Sequence, residues 1–138
     1  MFNPVDKKFL SKIEIACGPK VFRPASQSYK EEPRGRWIGK LGAVVAPRNV
    51  SEASKILKIC SDARVPVIPY GGGTGLVGGQ VGANLDSPLI LSTERLTKII
   101  DIFPQEHVIV CEAGCTLEEI QNEAKNNNRL FPLSLASN

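Results

Sequence analysis

Between residues 69 and 80 the chain reads Pro69-Tyr70-Gly71-Gly72-Gly73-Thr74-Gly75-Leu76-Val77-Gly78-Gly79-Gln80. Six glycines occupy the nine positions from Gly71 to Gly79, which gives up side-chain packing and loses conformational entropy on folding. A turn rarely requires three consecutive glycines followed by three more. A ligand that approaches the backbone closely explains the stretch better. Successive N–H donors in a tight turn form an anion nest suited to a phosphate or pyrophosphate, and Thr74 adds the one hydroxyl of the loop.

Two familiar nucleotide motifs overlap the stretch and fail on context. Gly73-Thr74-Gly75-Leu76-Val77-Gly78 spells the G-x-G-x-x-G of dinucleotide folds, but that fingerprint needs a helix to open within the glycines. The following Gly79-Gln80-Val81-Gly82-Ala83-Asn84-Leu85-Asp86-Ser87-Pro88 cannot form one. Gly73 and Gly78 are also spaced as in a P-loop, yet Gly79-Gln80 stands where Lys and Ser or Thr are needed.

The flanking sequence supplies the scaffold. Val5 to Cys17 reads as an amphipathic helix with Phe9, Leu10, Ile13, Ala16 and Cys17 on one face, ended by Gly18-Pro19. Residues 24–42 form an irregular approach segment. Ala43 to Ala46 is a short buried strand stopped by Pro47. A helix capped by Asn49 or Ser51 follows, with Ala53, Ile56, Leu57 and Cys60 at helical spacing. Val65 to Tyr70 is a second strand, making a βαβ unit expected to be parallel and right-handed. Pro88 to Ser92, Lys98 to Phe103 and His107 to Glu112 read as three further strands, with turns at Thr93-Glu94 and Pro104-Gln105. Thr116 caps a helix through Ala124, with Thr116 and Glu119 forming a capping box. Leu130 to Leu135 is expected to be another extended run.

Composition bounds what such a chain does. Its 138 residues suffice for a real core, and a 22% charged content is ordinary for a globular protein. The net charge of +3 is spread among acids without a basic stripe, which argues against a nucleic-acid partner. No apolar run approaches the roughly 20 residues of a membrane helix, and the first residues lack a secretory apolar segment, so a cytoplasmic location is expected. Cys17, Cys60, Cys111 and Cys115 are expected to be buried free thiols, since one close pair and one distant His make a poor zinc set. His107 follows a turn, where a surface role is expected over catalysis. The adjacent pairs Glu31-Glu32 and Glu118-Glu119 diverge from one another and are expected on solvated faces. Tyr29 and Trp37 are expected in packing or rim contacts. No metal ligands and no catalytic residues are assigned.

From Lys40 onward the motifs occur in a specific order. Ala43-Val44-Val45-Ala46-Pro47 is followed by the helix at Ser51-Glu52, then Val67-Ile68-Pro69 leading into Gly71-Gly72-Gly73-Thr74-Gly75-Leu76. Cys111-Glu112-Ala113-Gly114 and Phe131-Pro132-Leu133-Ser134-Leu135 complete the set. This order resembles the PCMH-type FAD-binding domain of the vanillyl-alcohol oxidase superfamily. Within it, the chain is similar to the FAD-linked oxidases that include glycolate oxidase flavin subunits, D-lactate dehydrogenases and D-2-hydroxyglutarate dehydrogenases. Arg34-Gly35-Arg36-Trp37-Ile38-Gly39 and Thr74-Gly75-Leu76-Val77-Gly78-Gly79 resemble the last of these.

The resemblance implies an α+β fold: the first subdomain of a PCMH-type FAD-binding fold, a βαβ unit plus additional strands and a helix, ending before the domain is complete. Residues 1–39 would be an N-terminal helix and approach segment, and residues 40–138 a partial FAD-binding domain. The cofactor set implied is Pro69, Tyr70, Gly71, Gly72, Gly73, Thr74, Gly75, Leu76, Gly78 and Gly79 around the pyrophosphate, with Pro132, Leu133 and Ser134 along the neighbouring groove. Relatives that bind flavin covalently carry a His where this chain has Gly73, so FAD is expected to be non-covalent. Valine at Gly73 is expected to block the approach of the cofactor to the backbone. Tyr70 departs from the Arg or Gln common in relatives, which leaves its phenol to stack or donate a hydrogen bond.

By resemblance the full enzyme would oxidise a small D-2-hydroxy acid, in an assembly compatible with an oligomer. The groups that bind and oxidise the substrate in relatives lie beyond this sequence. Two alternatives remain open at this stage. One is a non-catalytic remnant or interaction module without flavin; the other is a different superfamily member of alkyl-glycerone-phosphate or aryl-alcohol type.

Overall fold

The computed structural model describes residues 1–135. In chain order the elements are α1 (Lys7–Cys17), β1 (Phe22–Arg23), β2 (Ala43–Val45), α2 (Val50–Ala63), β3 (Val67–Tyr70), β4 (Leu89–Ser92), β5 (Ile99–Phe103), β6 (Val108–Cys111) and α3 (Leu117–Asn126). Each helix begins where the sequence supplies an acceptor for its orphan N–H groups. Asp6 accepts from the Phe9 N–H at 2.7 Å, Asn49 from Glu52 at 2.9 Å, and Thr116 from Glu119 at 3.2 Å. α1 ends at Gly18 with φ +79°, and α2 ends at Arg64 in the left-handed conformation.

β1, β2, β4 and β3 form one sheet in that order, and β5 pairs with β6 as a separate antiparallel hairpin. The β2–α2–β3 unit is parallel as expected, but its two strands are not neighbours. β4 lies between them, aligning Val44 with Ile90 and Ile90 with Ile68. The reason is legible in the side chains. All four residues of Leu89-Ile90-Leu91-Ser92 are buried, and only a central strand is covered on both faces. β3 carries Pro69, which lacks an N–H to donate and suits a sheet edge. β1 on the opposite edge pairs antiparallel with β2, so residues 1–39 contribute a strand and a helix to the same sheet and core as the rest.

The two faces of the sheet are covered by different material. On one, Val45, Leu89 and Leu91 pack with Phe9, Ile13 and Cys17 of α1 and Ile56 and Cys60 of α2. Leu57 lies off this stripe and is exposed, as is Ala16. On the other face, Val44, Ile68, Tyr70 and Ile90 pack with Tyr29, Leu41 and Leu85, which belong to the approach segment and to the long connection from β3 to β4. No α-helix contributes to this cluster among the described residues; Tyr29 comes from a single 3-10 turn, Gln27–Tyr29. The Tyr29 and Tyr70 rings lie 4.6 Å apart, centroid to centroid, tilted by 59°.

Several expectations change in the folded chain. Glu32 is buried, 1% exposed, rather than solvated. Its carboxylate accepts the N–H groups of Arg34 at 2.9 Å and Arg36 at 2.7 Å, replacing water as the acceptor for a tight turn. Cys111 and Cys115 are half-buried, whereas Cys17 and Cys60 are enclosed. Burial pushes the Cys60 thiol up to about 11, which keeps it protonated and inert. Leu130–Leu135 forms no strand; Gln121 Nε2 donates to the Leu133 carbonyl at 2.8 Å and ties it to α3.

Glu32 and Glu52 both have carboxyls held below the usual range. Backbone N–H groups of Arg34 and Arg36 act on Glu32, and the Arg48 guanidinium and N–H act on Glu52. A depressed folded-state pKa stabilises the fold above the unfolded value and is lost as pH falls through the folded one. The thermal midpoint is therefore expected to fall once pH drops below about 4. Glu32→Gln keeps one acceptor for two N–H groups, so it should lower the midpoint at neutral pH and flatten the acid decline. A variant that melts like wild type at neutral pH contradicts the capping role.

Candidate FAD-binding groove

Three strand ends and one helix start converge on a groove of about 930 Å³. β3 runs into Gly71 and Gly72, β4 runs into Thr93, and β6 runs through Ala113 and Gly114 to the cap of α3. Backbone bonds lock these ends together. The Thr93 N–H donates to the Tyr70 carbonyl at 2.9 Å, and the Gly114 N–H donates to Leu96 at 2.8 Å. The approach at Gly114 is so close that a Cβ there would lie 1.9 Å from the Thr93 carbonyl oxygen. Gly114 is therefore what lets the β4 turn and the β6 end meet at the groove floor.

The glycines of the loop divide into two kinds. Gly73 and Gly78 adopt φ +69° and +77°, and each lies flat on an aromatic side chain. A Cβ on Gly73 would fall 2.1 Å from Tyr70 Oη, and one on Gly78 would fall 2.6 Å from Trp37 Cγ. These glycines have reasons inside the protein. Gly71, Gly72 and Gly79 do not. None has a φ in the left-handed region, and an added Cβ would come no nearer than 3.8 Å to a non-neighbouring atom. Gly71 and Gly72 present bare backbone to the groove, and Gly79 presents it to open space on the loop outside the groove lining.

The N–H groups along this stretch are also free. Among the described residues, no backbone N–H from 71 to 80 donates to a protein acceptor. Open Cβ positions over a row of undonated N–H groups fit a pyrophosphate in close contact with the backbone. The start of α3 is a poorer anion site. Thr116 and Glu119 close a capping box there, and hydrogen bonds from Thr116 hold the Glu119 carboxyl below its usual range. Glu118 and Glu119 both line this end of the groove and repel anions. Glu94, at the β4 end of the groove, is paired with Arg23, so the carboxylates without a cation partner among the described residues gather at the α3 end and the loop end is the less repulsive one for an anion.

The sequence-derived set separates accordingly. Gly71, Gly72, Thr74 and Ser134 line the groove, while Pro132 and Leu133 are exposed outside it. Pro69 points to solvent from β3, and Leu76 and Gly79 are exposed on the loop outside the groove lining. Tyr70 faces inward, its hydroxyl donating to the Ser28 carbonyl at 3.0 Å, so it supports the loop from below. Gly73 serves the same packing, because its place over Tyr70 is internal, and Gly75 lies against Gln80. His107 is exposed at the β5–β6 turn with φ +57° and does not line the groove.

Sequence reasoning missed Thr93, Glu94 and Thr97 on the groove wall. Glu94 accepts from Arg23 Nε at 2.5 Å and from the Tyr29 hydroxyl at 3.3 Å, tying β1 and the approach segment to the end of β4. Burial pushes the Tyr29 phenol up, so it remains a donor. Only the pairing of β4 between β2 and β3 brings these groups to the loop.

A family profile described as an FAD binding domain matches residues 42–138. The chain belongs to this FAD-binding domain family. Among its sequence relatives is a probable mitochondrial D-2-hydroxyglutarate dehydrogenase of Oryza sativa subsp. indica, 36% identical over 75% of this chain and 18% of that protein. A D-lactate dehydrogenase of Archaeoglobus fulgidus is 38% identical over 79% of this chain and 25% of its own length. Mitochondrial D-2-hydroxyglutarate dehydrogenase of Arabidopsis thaliana is 29% identical across 99% of the chain. The fold of this FAD-binding domain is shared with alkyldihydroxyacetonephosphate synthase, at TM-score 0.74 and 16% identity over 91% of the chain and 26% of that protein. It is also shared with p-cresol methylhydroxylase, at TM-score 0.72 and 21% identity over 88% of the chain and 24% of that protein. The chain spans about a fifth to a quarter of the length of the curated relatives it matches. FAD is thus the cofactor of the family, and the open glycines and free N–H groups fit it.

The two kinds of glycine are separable by mutation. Gly72→Val should leave the melting temperature near wild type and weaken FAD binding by about tenfold or more, the scale of losing hydrogen bonds to a charged group. Gly73→Val should instead lower the melting temperature, because it forces a left-handed φ and collides with Tyr70. Equal effects of the two on stability would contradict the division.

Proposed function

We propose that this chain is the FAD-binding front part of a flavin-dependent oxidoreductase acting on D-2-hydroxy acids of the D-lactate, glycolate or D-2-hydroxyglutarate class. The observation that carries the reading is the row of unoccupied Cβ positions and undonated N–H groups over the groove at Gly71 and Gly72. The relatives named D-2-hydroxyglutarate and D-lactate dehydrogenase support the substrate class.

The work of these residues is to bind and orient. The 71–76 backbone and the Thr74 hydroxyl would hold the pyrophosphate, with Tyr70 and Trp37 keeping the loop flat beneath it. The β4 and β6 ends and Ser134 would form the wall along which the rest of the cofactor lies. Bound FAD supplies an acceptor for the hydride from the α-carbon of a hydroxy acid. No proton-accepting residue is assigned within this chain, and the 2-hydroxy acid would be bound by the remainder of the full-length enzyme.

The FAD is read as non-covalent, since the loop places Gly73 against Tyr70 and carries no side chain there to bond the flavin. Acid precipitation should then release all yellow colour into the supernatant; colour retained in the pellet contradicts this. Activity is tested anaerobically on the full-length flavoprotein. Its flavin absorbance should bleach with D-lactate or D-2-hydroxyglutarate and persist with the L-enantiomers. Bound flavin that no 2-hydroxy acid bleaches would overturn the substrate class, and a protein that takes up no flavin would favour the interaction-module alternative.

A further inference from the structure

Gln80 closes the glycine loop on itself. Its carboxamide Nε2 donates to the Gly75 carbonyl at 2.5 Å and reaches the Gly73 carbonyl at 3.4 Å. A Cβ on Gly75 would lie 3.2 Å from Gln80 Oε1, so the side chain runs close along this part of the loop. In a trans peptide the C=O and N–H point to opposite edges of one plane. The Gly73 carbonyl shares its plane with the Thr74 N–H, and the Gly75 carbonyl shares its plane with the Leu76 N–H. Holding the two carbonyls therefore turns both N–H groups away from the carboxamide. Neither donates to any described residue.

We infer that Gln80 is a positioning residue for the cofactor phosphates, fixing the Gly73–Thr74 and Gly75–Leu76 peptides around the groove-lining Thr74 before the ligand arrives. The inference rests on the FAD-binding reading. Without the clamp, glycine-flanked peptide planes rotate freely, since glycine opposes such rotation least. Fixing them in advance removes an ordering cost from binding. Gln80 needs no contact with FAD for this role; it acts through the two peptides.

The test is FAD titration of the purified full-length protein after flavin removal, followed by flavin fluorescence, with wild type and two variants. Gln80→Met keeps the length of the side chain and loses the donor, and should weaken FAD binding about tenfold, the scale of one hydrogen-bonded group. Gln80→Glu should bind more weakly still near neutral pH, because its carboxylate repels the carbonyls it replaces a donor for. On acidification through the carboxyl range, about pH 4 to 5, the protonated acid regains a donor and affinity should recover relative to wild type. A role confined to folding would not restore binding in acid, so this recovery separates positioning from general stability. Wild-type binding with unchanged affinity in both variants overturns the inference alone. So does an affinity loss in Gln80→Glu that acid leaves in place. Absence of FAD binding in wild type overturns the underlying reading and the inference with it.

Discussion

The hydrogen bonding of β4 between β2 and β3 is the constraint on which the rest of the structure depends. β3 and β4 are adjacent and parallel, so the chain leaving β3 at Gly71 must return along the sheet before it enters β4 at Leu89. Such a return is usually made by a helix. Here it is made by an irregular, glycine-rich connection that covers the face of Val44, Ile68, Tyr70 and Ile90 with help from the approach segment. The same connection is thus half of a core and one wall of a ligand groove.

This double duty explains the density of glycine. A backbone that lies flat on a sheet face must pass over protruding side chains without its own Cβ in the way. Gly73 passes over Tyr70, Gly78 over Trp37, and Gly82 over Ile68, each at a positive φ. The opposite side of the connection faces the groove at Gly71 and Gly72, where an added Cβ would make at most ordinary contacts. One side of the loop is shaped by what lies beneath it. The other is bare at Gly71 and Gly72, and Glu118 and Glu119 stand at the far end of the groove.

Polar groups, among them the buried Glu32 and Tyr29, fix the segment that supports the loop. Glu32 caps the turn that carries Trp37 to Gly78, the Tyr29 ring packs at a tilt against Tyr70, and the exposed Glu94 links Arg23 and Tyr29 to the end of β4. The residues before Lys40 therefore belong to the architecture of the site, although they precede the span matched by the FAD-binding family. A carboxylate in sequence reads as solvated because most are. Glu32 is an exception because two N–H groups of its own turn need an acceptor where water is excluded.

The sequence by itself determined what is local. Helical spacing and capping residues set α1, α2 and α3 to within a few residues, and apolar runs bounded by Pro and Gly set β2 to β6. The order of motifs around the glycine run announced the FAD-binding family. Tertiary structure decided everything that depends on which strands pair. The insertion of β4, the two-residue β1, the inward turn of Tyr70 and the arrival of Thr93 and Gly114 at the groove all follow from long-range ladders. A short apolar strand fits a sheet in many orders, and burial on both faces selects one only once the helices and the connection are in place. The two kinds of glycine are identical letters in sequence. What lies beneath each one distinguishes them, and that is a property of the packed fold.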